Sequence, residues 1–233
     1  MISASASAEV DPVTTFIIEA DSIARVGGDE ALGGYVGEHS IMVGAAVGQL
    51  LDVGFEVGQG GDTAAEEENV AFAERVARLL EQTGGSGVPS ELVRVYKSWT
   101  PEQRAKRAEI KALEAEAFDA RNTGEFDKAV EMFRRVIDMC KDIDDRRTIA
   151  VTWGSLGVVN GYRGDMDAVE ESYTKALEAR RAIEDRILEG KTLNGLGSVS
   201  FQRGDYEKAI EYYDAAAELR RRTGDLGGLG ISL

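Results

Sequence analysis

Apolar and polar residues follow a helical period along most of the chain. Residues 14–26 form an amphipathic stretch that ends at Gly27–Gly28, a helix-stop signal. Residues 29–53 are rich in Ala, Gly and Val, with Gly33–Gly37 and Gly44–Gly48 each four apart. That spacing predicts a helix with one small-residue face, where a neighbouring helix can approach closely. Residues 65–85 predict a further helix, with acids in its first turn and Val70, Ala73, Val76, Ala77 and Leu80 on one face. A short helix is expected over residues 90–99. Thr100, Pro101 and Gln103 then read as an N-cap, a proline at the first helical position and a capping box. They predict a long helix from Pro101 to about Asn122.

Beyond residue 101 the pattern repeats every forty residues. GEFDKAVEMF starts at Gly124, GDMDAVEESY at Gly164 and GDYEKAIEYY at Gly204. The columns keep their character. Ala117, Gly157 and Gly197 are small, as are Ala129 and Ala209, with Val169 between them. Phe133, Tyr173 and Tyr213 are aromatic. Each unit predicts two antiparallel helices separated by a glycine. A small column lets the two helices of a unit meet, and the aromatic column wedges between neighbouring units. One helix pair cannot bury both of its apolar faces, so the units must stack.

These columns resemble the tetratricopeptide repeat. WGSLG at 153–157 matches the family's Trp-x-x-Leu-Gly, and LNGLG at 193–197 matches it with Leu for Trp. RGDMDAVEESYTKAL and RGDYEKAIEYYDAAA match the turn and second helix. The forty-residue spacing exceeds the basic period of about 34. It resembles the longer-helix subclass found in G-protein-signalling modulators and bacterial signalling proteins. The first unit departs from the pattern, with Leu113, Glu116 and Ala117 in place of Trp, Leu and Gly.

The resemblance implies an all-α fold, a right-handed solenoid of antiparallel helix pairs preceded by a helical N-terminal module. The expected organisation is a flexible tail over 1–13, an acidic helical module over 14–99, and repeats over 100–146, 147–186 and 187–226. Residues 227–233 then read as the start of a fourth repeat, with more repeats expected in the native chain.

The resemblance further implies a non-catalytic scaffold that holds a peptide or protein partner in a concave groove lined by the first helix of each unit. The candidate groove residues are Lys111, Glu114, Phe118 and Arg121 in the first unit and Val151, Gly154, Ser155, Val158 and Tyr162 in the second. Lys191, Asn194, Ser198, Phe201 and Gln202 complete the set in the third. Ser155 and Gly195 stand where many longer-period members carry an Asn that holds peptide backbone. The Lys/Arg/Asn set that clamps a chaperone C-terminal carboxylate is incomplete. The alternative is the sensor or regulatory part of a longer signalling protein, with a protease, kinase or ATPase effector elsewhere.

Charge narrows the partners. The 233 residues carry a net charge of −15, and nucleic-acid binding would need a basic face. Residues 1–100 hold 16 Asp/Glu against 5 Lys/Arg, whereas residues 101–233 hold 26 against 22. The acidity therefore belongs to the first part, and the two parts read as different modules. With no basic leader and no apolar run near the roughly 20 residues of a membrane span, a cytoplasmic protein without membrane insertion is expected.

Catalytic and cofactor chemistry find little support. Cys140 and His39 are each the one residue of their type, which leaves no disulfide and no Cys/His metal site. Both read as structural residues. GQGGDT at 58–63 lacks the Lys-Ser/Thr and the preceding strand of a phosphate loop. Glu131, Glu171 and Glu211 recur at the repeat spacing and read as a solvated ladder on the second helices.

Overall fold

A computed structural model describes residues 12–59, 61–82 and 88–223. Residues 1–11 of the tail expected over 1–13, residues 83–87 and the expected start of a fourth repeat lie outside these; Pro12 and Val13 of that tail are helical. Among the described residues there are ten α-helices and no strand. The chain divides into two compact units, residues 1–98 and 99–233.

The first unit contains α1 (Pro12–Glu38), α2 (Ser40–Gln59), α3 (Thr63–Gln82) and α4 (Val88–Ser98). The stop signal at Gly27–Gly28 is real, but it bends the helix rather than ending it. Gly28 takes φ 69° and ψ −159°, a conformation open to glycine, and α1 resumes beyond it. Phe16, Ile17 and Ala20 from before the bend and Leu32 and Val36 from after it are all buried. They share the core with Val43, Val47 and Leu50 of α2 and Ala73, Val76 and Leu80 of α3. Gly33 lies beside Leu79, where a Cβ would sit at an ordinary 3.7 Å from Leu79 Cδ2. The close approach expected of the small-residue face is therefore not required at that position. His39 stacks on Tyr35 at 4.2 Å between ring centroids, and Tyr35 stacks on Phe16 at 5.3 Å. His39 is thus part of an aromatic stack, in keeping with a structural role.

The second unit is three consecutive helix pairs: α5 (Pro101–Asn122) with α6 (Phe126–Asp142), α7 (Arg146–Arg163) with α8 (Met166–Ala182), and α9 (Arg186–Gln202) with α10 (Tyr206–Thr223). The capping box at the start of α5 forms in full. Thr100 accepts from the Gln103 amide, and the Gln103 side chain accepts from the Thr100 amide. Gly124, Gly164 and Gly204 adopt φ of 83°, 75° and 81°, so each turn within a pair uses the left-handed region. Between pairs, Asp144 and Glu184 take the same region at 55° and 57°. The next residues, Asp145 and Asp185, then cap α7 and α9 by accepting from the amides of Thr148 and Leu188.

Two of the contacts that join the second pair to the third involve α8 side chains set against α9. The first is the Tyr173 ring. A Cβ placed on Gly157 would lie 2.4 Å from Tyr173 Cε1, and one on Gly195 would lie 2.9 Å from Tyr173 Cε2. The ring is therefore held between the first helix of its own pair and the first helix of the following pair. The second is Arg180, buried at 7% exposure. Its Nη1 donates to Leu188 O at 2.9 Å and to Thr192 Oγ1, both on α9. Burial lowers the guanidinium pKa from its ordinary value, and the Asp185 carboxylate opposes that effect.

Two measurements test these joints. Gly157→Ala should lower unfolding stability by about 1–3 kcal/mol, because the added methyl strikes a ring that is trapped on both sides. Gly161→Ala is its control. A Cβ there meets only Val169 Cγ2 at 3.9 Å, and the better helix propensity should raise stability by up to about 1 kcal/mol. Arg180→Ala should cost about 2–4 kcal/mol in urea unfolding, from the void and the lost hydrogen bonds to Leu188 O and Thr192 Oγ1. A loss under about 0.5 kcal/mol would show that this staple contributes little.

Candidate functional site

The candidate groove residues sit on α5, α7 and α9, the first helix of each pair. On α5, Lys111 is exposed and Glu114 is half-buried. Arg107 holds the Glu114 carboxylate at 3.1 Å and reaches Asp145, the α7 cap, at 3.3 Å. Glu114 thus belongs to an ion-pair network linking the first two pairs. Phe118 packs edge-on against Phe133 at 5.1 Å, and the Arg121 guanidinium lies 5.0 Å over the Phe118 ring.

On α7, Val151 and Ser155 are half-buried, and the Ser155 hydroxyl donates to Val151 O. Val158 and Tyr162 are exposed at 39% and 65%. Tyr162 stacks on Phe126, 5.4 Å between centroids and 12° between planes. On α9, Lys191, Ser198, Phe201 and Gln202 are exposed. The Ser198 hydroxyl bonds Asn194 O and lies 3.2 Å from the Tyr213 hydroxyl. Phe201 meets Tyr206 edge-on at 5.4 Å.

Gly154 and Asn194 are buried instead of facing outward. Gly154 lies under Arg180, whose Nη2 is 2.5 Å from where a Cβ would stand. Its missing side chain makes room for the guanidinium.

Four of the expected residues come together. Val158, Tyr162, Ser198 and Gln202 line one cavity of about 370 Å³ between α7, the start of α8 and α9. Gly157, Gly161, Met166, Val169, Tyr173, Gly195 and Val199 complete its wall. The lining residues outside the candidate set are the glycines of the floor, the α8 side chains Met166, Val169 and Tyr173, and Val199 of α9. Comparing repeat columns at equal register is the signal that points to them. Gly195 has its own explanation there. It replaces the expected Asn because the Tyr173 ring occupies the space next to its backbone.

Chemical candidates elsewhere stay structural. Glu131, Glu171 and Glu211 are exposed on the second helices, and Glu171 is paired with Lys175 at 2.6 Å. Among the described residues no cluster of His, Cys, Asp and Glu could hold a metal ion. Among them, too, no helix is long and apolar enough to cross a membrane. Cys140 is fully buried. Burial, then the Asp145 and Glu114 carboxylates, push its thiol pKa far up, so the thiolate is absent at neutral pH.

Two family models match the chain, both described as tetratricopeptide repeat, over residues 109–182 and 190–222. Both segments are similar to tetratricopeptide repeats. They span most of the three helix pairs. No curated protein matches the sequence. Among solved structures, the crystal structure of BtubC (BKLC) from P. vanneervenii is similar at 18% identity and a TM-score of 0.48, over 92% of this chain and 93% of that one. A Signal Transduction ATPase with Numerous Domains (STAND) protein with a tetratricopeptide repeat sensor, from Pyrococcus horikoshii, is similar at 14% identity with a TM-score of 0.48. That match covers 95% of this chain, which spans 39% of the other.

The buried thiol gives a direct check. Cys140 should be unreactive toward a disulfide exchange reagent in the folded protein at pH 8 and should react fully in urea. Rapid stoichiometric labelling of native protein would show that the α6–α7 packing opens.

Proposed function

We propose that the chain is a non-catalytic interaction scaffold of the longer-period tetratricopeptide type, which holds a peptide or protein on the face formed by α5, α7 and α9. Tetratricopeptide repeats serve as protein-interaction modules, and one observation supports that role at this face. Apolar side chains that could have been buried stay exposed on the first helices: Val158, Tyr162 and Phe201, the last at 58%. Exposed apolar groups beside a cavity are what a recognition surface presents. The candidate residues include three cations, Lys111, Arg121 and Lys191, and one acid, Glu114. That balance favours a partner with acidic character, within a chain that is itself strongly acidic.

The test is affinity capture from extract of the source cells, with wild-type protein and a Lys191→Glu/Phe201→Ala double variant. The variant should keep its far-UV circular dichroism and lose most of the specific partner recovered by wild type. Equal recovery by the folded variant would remove these residues from the binding face.

A further inference from the structure

The two junctions between consecutive pairs use equivalent positions but fill them differently. Adding forty to Phe118, Arg121, Phe126 and Tyr162 gives Val158, Gly161, Met166 and Gln202. At the first junction larger side chains fill these positions: Tyr162 stacks on Phe126, Phe118 packs on Phe133, and Arg121 covers Phe118. At the second junction the smaller set leaves the cavity of about 370 Å³. Gly161, in its wall, has space above it, since a Cβ there would make only one ordinary contact. The void is therefore written into the sequence by four substitutions in register.

We propose that this cavity receives a neutral aromatic side chain, Phe or Tyr, from an acidic peptide. It would occupy the place over Met166 that Tyr162 occupies over Phe126 one repeat earlier. This rests on the reading of the α5, α7 and α9 face as the binding face, and it assigns the anchor within it. Three features of the lining select that occupant. None of its side chains carries a charge at neutral pH, so a charged side chain would lose its hydration without gaining a partner. The Met166 thioether and the Tyr162 and Tyr173 rings suit an aromatic guest. The Ser198 hydroxyl and Gln202 amide can meet a phenol. The volume falls within the range of about 300–1,000 Å³ typical of ligand pockets. Lys191 on α9, with Lys111 and Arg121 on α5, favours acidic residues in the peptide around the anchor.

The experiment titrates full-length, isotope-labelled protein with two short blocked peptides that differ in one position, a central Phe or Ala between glutamates. The Phe peptide should shift the amide signals of Gly157, Gly161 and Gly195, and the Ala peptide should bind at least about tenfold more weakly. A Gly161→Leu/Gln202→Tyr variant, which rebuilds the filled junction, should abolish the difference. If that variant does not fold, Val158→Phe, at an exposed position and copying Phe118, gives the same reading. Equal affinity for the two peptides, or undiminished Phe-peptide binding by a filled variant, overturns the proposal.

Cellular capture separates this idea from the one beneath it. A partner lost by Lys191→Glu/Phe201→Ala but kept by the filled variant sinks the cavity and leaves the face standing. A partner kept by both sinks both. Concentration-dependent self-association in sedimentation that the filled variant lacks would make a second copy of this chain the occupant, and would also overturn the proposal.

Discussion

Stacking of the second repeat on the third depends on an aromatic ring pressed between two glycines. Tyr173 needs Gly157 on its own pair and Gly195 on the following pair, because any Cβ at either position would lie within 3 Å of the ring. Burying an aromatic ring removes enough apolar area from water to contribute about 2–3 kcal/mol. The same ring fixes the separation and register of three helices. In the next repeat Gly197 and Tyr213 meet in the same way, with 2.7 Å between a placed Cβ and Tyr213 Cε1. The first repeat uses Ala117 and Phe133, both fully buried.

Polar groups at the other end of each pair set the angle at which the next pair arrives. Left-handed Asp144 and Glu184 turn the chain, and the aspartates that follow cap the next helix. The second and third repeats place an arginine in the column where the first has Cys140. Arg180 donates to the backbone of α9 from a buried position, which restricts the approach of that helix to one register. In the first repeat Arg107 bridges Glu114 and Asp145 between α5 and the start of α7. Different side chains thus meet the same need, a charged donor next to a helix start.

A solenoid that repeats its packing this closely can vary wherever packing is not at stake. The exposed positions of α7 and α9 do vary: Val158 becomes Ser198 and Gly161 becomes Phe201. Such changes leave the aromatic-on-glycine joint intact while they open or close space beside it. The cavity of the second junction arises from this freedom. Its floor is backbone and its wall is the joint itself.

Much of this was legible in the chain. The forty-residue register gave the helix pairs, Gly124, Gly164 and Gly204 marked the breaks between their helices, and the α5 start followed from Thr100 and Gln103. These are local or periodic features, and local backbone preferences act before any tertiary contact forms. The bend at Gly28 shows the limit, since a stop signal became a kink once Leu32 and Val36 found the same core as Phe16. Gly154 and Asn194 show another. Their spacing fits an outward face, yet Gly154 lies beneath Arg180 and Asn194 is itself enclosed. By itself, then, the sequence determined the repeat, its helices and its turns. Which residues stay open to a partner was decided only in three dimensions. Whether a position is covered depends on the size of a neighbour forty residues away, and only packing brings the two together.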